Sequence, residues 1–83
     1  MNNWTNDQTK LHKEFVFESF DRAIDFMVEC SVFIGEINHH PEWSNVYNRV
    51  MVTLTTHDAG NVVTEKDYQL AEKMDEVYSQ FKH

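Results

Sequence analysis

The feature that most limits the fold is the run of residues 45–56, in which apolar and polar side chains alternate. Val46, Val50, Val52 and Leu54 share one face with Asn48, while Tyr47, Arg49, Met51, Thr53 and Thr55 share the other. A period of two belongs to a strand, so this run reads as one strand with an apolar face and a mixed face. Such a strand needs neighbours. Trp4 to Leu11 and His12 to Glu18 supply them, because Phe15 and Phe17 alternate with Glu14, Val16 and Glu18. The two pieces are expected to form a hairpin with a polar turn at Asn6-Asp7, and a further short strand is expected around Val62-Val63.

Two helical stripes supply the cover. Ser19 reads as an N-cap with Asp21 in the first turn, and Phe20, Ala23, Ile24, Met27, Cys30, Ser31 and Ile34 follow at helical spacing up to Gly35. Thr64-x-x-Asp67 resembles a capping box, and Leu70, Ala71, Met74, Val77, Tyr78 and Phe81 continue from it. The order ββαβ(β)α predicts an α+β fold, a two-layer sandwich with both helices on one face of the sheet. The other face, with Tyr47 and Met51, is left for solvent or a second subunit. One domain over 1–83 is expected, and a chain of 83 residues buries only about 60% of its unfolded surface, so the thin core favours the second subunit.

Composition narrows the function classes. There are 14 acidic and 7 basic residues, a net charge of −7. This speaks against nucleic-acid and anionic-membrane partners, which need clustered Lys and Arg. A single Cys excludes a disulfide framework within the chain. No apolar run approaches a membrane span, and the start, MNNWTNDQTK, lacks the apolar stretch of a secretory signal. A cytoplasmic protein is expected.

The chemistry concentrates in Asn38-His39-His40-Pro41-Glu42-Trp43 and in Thr56-His57-Asp58-Ala59-Gly60. Both passages are connections, where functional groups often sit. The strand between them has 12 residues, roughly 40 Å if straight, so curling of the sheet or docking of loops must bring them together. Plain roles exist for each residue: polar loop positions for His39 and His40, a turn tie for His57, a helix stop for Pro41, a core anchor for Trp43, a solvated carboxylate for Glu42 and a cap for Asp67. A metal site is disfavoured because adjacent His39 and His40 point apart and no HExxH spacing occurs. An acid–base site fits better. Imidazole titrates near ~6.5, and histidines around a pocket floored by Trp43 suit a flat, polar heterocycle. Cys30 lies on the buried stripe and is expected to be inert.

INHHPEW at 37–43, VYNRV at 46–50, Leu54, THDAG at 56–60, Thr64 and Asp67 together resemble the pterin-4a-carbinolamine dehydratase (4a-hydroxytetrahydrobiopterin dehydratase) family. Lys13-Glu14-Phe15-x-Phe17-x-x-Phe20-x-x-Ala23-x-x-Phe26 is similar to its strand-to-helix passage. The resemblance implies a four-stranded antiparallel sheet with helices on one face, dimers joined edge to edge, tetramers of two dimers, and work without metal or bound cofactor. It implies removal of water from a 4a-hydroxytetrahydropterin, the spent cofactor of aromatic amino acid hydroxylases, and so implies such a hydroxylase as a partner. His39, His40 and His57 match the family's catalytic histidines. Pro41 and the backbone of Thr56, His57, Asp58 and Ala59 match its pterin-holding segments. Trp43 matches an aromatic at the pocket wall, and Asp67 an acidic residue that orients a histidine. The chain departs from the pattern in three ways: the family's N-terminal helix is largely absent, Asn38 and Gly35 stand where animal members carry acids, and the loop from His57 to Asp67 is one residue longer. Two other roles follow from the same resemblance, a dimerisation cofactor of a transcription factor and a dehydratase-like protein of molybdopterin metabolism.

Overall fold

A computed structural model describes residues 4–81. Strand β1 (Thr5–Asn6) and strand β2 (Leu11–Val16) form the first hairpin. Helix α1 (Phe20–Ile37) leads to strands β3 (Glu42–Val46) and β4 (Arg49–Leu54), then a 3-10 turn at His57–Ala59 and helix α2 (Glu65–Tyr78). The sheet is antiparallel with order β1-β2-β4-β3. It is the four-stranded α+β sandwich expected.

The pleat sorts the residues. Leu11, Phe15, Val50, Val52 and Leu54 are buried beneath Ala23, Phe26, Cys30 and Ile34 of α1 and Leu70, Ala71, Met74 and Val77 of α2. Phe15, Phe17, Phe26, Tyr78 and Phe81 pack as an aromatic cluster, mostly edge to face, the geometry ring quadrupoles prefer. Lys13 points the same way as Leu11 and Phe15. Its ammonium lies 2.6 Å from Asp75 of α2 and sits over the Phe15 ring, while the Trp4 indole N–H donates to the same carboxylate. A charge is tolerated in this layer because it is paired. No element of the described residues covers the opposite face, which carries His12, Glu14, Ser44, Met51 and Thr53.

The expected single strand over 45–56 is a hairpin. Tyr47 and Asn48 turn the chain, and Val46 pairs with Arg49 on the open face instead of sharing a face with Val50. The alternation runs through the turn unbroken, and no Gly or Pro marks it. Polar side chains hold it instead: the Asn45 amide donates to the carbonyls of Tyr47 and Arg49, and the Asn48 amide to that of Phe17. Helix α1 passes through Gly35 and ends at Asn38, whose left-handed backbone (φ 52°) makes the cap; Asn also occupies that conformation at low cost. Its buried stripe includes Phe26 and leaves Phe20 exposed. The first hairpin turns at Asp7–Lys10, where the Asp7 carboxylate accepts from the Thr9 and Lys10 N–H groups, so β1 is shorter than expected. Near Val62 there is one bridge, to Thr56, and no strand.

Candidate active site

The hairpin settles how the two histidine passages meet. Glu42 pairs with Thr53 in the β3–β4 register. The segment before Glu42 and the segment after Leu54 therefore leave the sheet at the same end, and no curling is needed. Asn38, His39, His40, Thr55, Thr56, His57, Asp58 and Lys66 line one cleft of about 180 Å³ there.

His39 is nearly buried, and its Nε2 lies 2.6 Å from Oδ1 of Asp67, a fully buried residue. The other carboxylate oxygen, Oδ2, accepts from the Thr56 hydroxyl at 2.8 Å and from the Thr64 backbone N–H at 2.9 Å. The single hydroxyl proton of Thr56 is thereby used. The Thr64 hydroxyl, 2.6 Å away, must donate to Thr56 Oγ1. A carboxylate accepts at both oxygens, so in this arrangement the bridge to His39 carries its proton on Nε2. Nδ1 is left as the nitrogen that can exchange a proton. The same Asp67 is the third residue of α2 and closes the capping box begun at Thr64.

His57 opens the 3-10 turn and is exposed. Its Nδ1 lies 2.7 Å from Oδ1 of Asn61. His40 and Asp58 are also exposed at the cleft, and Lys66 enters from the first turn of α2. Among the described residues no three His, Cys, Asp or Glu side chains converge as metal ligands. Cys30 is buried away from the cleft, and burial pushes its thiol up to about 12.

Of the residues singled out in the sequence, His39, His40, Thr56, His57 and Asp58 line the cleft, and Asp67 supports it from beneath. Pro41, Trp43 and Ala59 do not line it. Trp43 faces Val52 across β3–β4, so the pleat turns it to the helix side, where it packs against the core. Pro41 and Ala59 flank the cleft in sequence only. Thr55, Lys66 and Asn61 belong to the site without standing out in the sequence. The i, i+4 spacing of His57 and Asn61 is a readable sign, but only once a turn of helix is known to start at His57.

Fold and cleft together define a small α+β protein whose histidine site is braced by a buried carboxylate. The family described as pterin 4 alpha carbinolamine dehydratase matches residues 1–77. A protein of Solibacter usitatus (strain Ellin6076), provisionally named a pterin-4-alpha-carbinolamine dehydratase, is 51% identical over 72 residues, 87% of this chain and 75% of that protein. A protein of Bordetella avium (strain 197N), named in the same way, is 54% identical over 84% of this chain and 64% of its own length, just under two thirds. The crystal structure of a transcriptional coactivator/pterin dehydratase from Brucella melitensis has a TM-score of 0.89 at 38% identity, covering 94% of this chain and 84% of that one. A pterin dehydratase-like RuBisCO assembly factor of the alpha-carboxysome shares the fold, with a TM-score of 0.73 at 21% identity. The chain belongs to the pterin-4a-carbinolamine dehydratase family.

Proposed function

We propose that the cleft removes water from a 4a-hydroxytetrahydropterin to give the quinonoid dihydropterin. The observation that carries this reading is the Asp67-braced His39 lining one cleft with His40 and His57. In a carbinolamine the N5 lone pair expels the 4a-hydroxyl. One imidazolium gives a proton to the departing oxygen, which leaves as water, and one neutral imidazole accepts the N5 proton. Each bridged histidine keeps one nitrogen for this work, Nδ1 on His39 and Nε2 on His57. General acid–base catalysis of this kind typically contributes ~10²–10⁴-fold, enough for a substrate that already collapses slowly unaided. Regeneration of the cofactor of an aromatic amino acid hydroxylase is the physiological role we assign. Homodimers or homotetramers are the working form, in keeping with the open sheet face.

The test is the rate at which freshly generated 4a-hydroxytetrahydrobiopterin dehydrates, followed by ultraviolet absorbance. Wild type accelerates it, and His39→Ala and His57→Ala each lose most of the acceleration while staying folded. A folded wild type without effect would remove the enzymatic reading, leaving a binding role such as the coactivator function that the Brucella melitensis structure is named for.

A further inference from the structure

We propose that Asn61 is a positioning residue that fixes the tautomer of His57 and so decides which ring nitrogen works in the cleft. The loop from Thr56 to Val62 is closed by its own backbone. The Thr56 N–H donates to the Val62 carbonyl at 3.0 Å, the Asn61 N–H to the Thr56 carbonyl at 3.1 Å and the Gly60 N–H to the His57 carbonyl at 3.0 Å. Closing it this tightly takes two left-handed residues in succession, Gly60 at φ 90° and Asn61 at φ 59°. Glycine and asparagine are the residues that enter this region at least cost. The closed loop sets the Asn61 side chain against the ring of His57, with Oδ1 2.7 Å from Nδ1. An amide oxygen only accepts, so in this arrangement Nδ1 carries the proton. Nε2 is then the nitrogen left with a lone pair. A histidine ring free in water prefers the opposite arrangement, with the proton on Nε2, so the loop imposes the minor form.

Two braces of different chemistry thus stand on one cleft. A buried carboxylate holds His39 through Nε2, and a surface amide holds His57 through Nδ1. The braces leave opposite ring nitrogens free. The inference rests on the proposed dehydration only for its kinetic consequence; the tautomer stands by itself.

Asn61→Gly and Asn61→Asp in the full chain test it. Glycine keeps the left-handed backbone and deletes only the amide. Asparagine to aspartate keeps an acceptor and adds a charge. Nitrogen-15 NMR of the histidine rings reads the tautomer directly. Wild type shows His57 with Nδ1 protonated; Asn61→Gly moves it toward the Nε2–H form and leaves His39 unchanged. The kcat of Asn61→Gly falls by up to about tenfold with KM nearly constant, the scale of one lost hydrogen bond. In Asn61→Asp the tautomer is retained, because a carboxylate oxygen accepts from Nδ1 as the amide oxygen does. The other charged or titratable groups lining the cleft with His57 are His39, His40, Asp58 and Lys66, which both variants leave in place. An unchanged His57 tautomer in Asn61→Gly, or loss of the Nδ1–H form in Asn61→Asp, overturns the proposal. If wild type does not dehydrate the pterin, the substrate reading fails while the NMR comparison still decides the role of Asn61.

Discussion

Asp67 serves two structures with one carboxylate. It satisfies the opening of α2 and holds His39, and every oxygen contact it makes is from a donor. Asp67→Asn must turn an NH₂ either toward the donors Thr56 and Thr64 or toward Nε2 of His39. The first choice strands buried donors, which costs about 1–3 kcal/mol. The second forces His39 into the other tautomer, with Nε2 as acceptor. We expect kcat to fall by ~10²-fold or more, with a lowered urea midpoint if the amide faces the threonines. Kinetics and denaturation on the same preparation separate the two. Wild-type kcat at unchanged stability would show that the bridge to His39 is incidental.

At the scale of elements, the turns carry the testable features. Tyr47 is two-thirds exposed and sits at φ 52°, a left-handed conformation that costs an ordinary residue about 1–2 kcal/mol. Tyr47→Asn should raise stability by about 1 kcal/mol in urea unfolding, and it should leave turnover alone because the turn is at the far end of the hairpin from the cleft. In the first turn, the Thr9 hydroxyl and the backbone N–H groups of Lys10 and Thr9 hold the Asp7 carboxyl down to about 2 from 3.8. A lowered carboxyl pKa stabilises the fold fully above 3.8, and that contribution disappears as pH falls through about 2. Asp7→Asn should therefore flatten the acid limb of stability between these values, read as urea midpoints across that range. These turns also show what the sequence concealed. Strand and helix types were legible from period, and the Thr64–Asp67 cap from spacing. The Tyr47-Asn48 turn was not, because it keeps the alternation of its flanks and uses Asn45 and Asn48 side chains in place of glycine. Losing that turn hid the main fact about the site, namely that 38–40 and 55–58 leave one end of a hairpin. Trp43 was open to two readings for a related reason: its side follows from pairing with Val52, and pairing is not local.

The whole molecule leaves large apolar side chains in water. Val28 and Val32 on α1 are each about 60% exposed, and Val16 and Val46 are exposed together at one end of the sheet, both beside Arg49. The proposed association would cover such side chains. Sedimentation velocity at micromolar concentration should show a dimer or tetramer; a monomer would contradict it. The residues of the chain that line the cleft lie between Asn38 and Lys66.

The first turn of a helix is where it frays, and in α2 that turn is the brace of His39. Whenever Thr64 to Asp67 open, the histidine loses its anchor at the same instant. Amide hydrogen exchange at Asp67 and Tyr68, whose N–H groups both bond to Thr64, thus becomes a clock for the working state of the site.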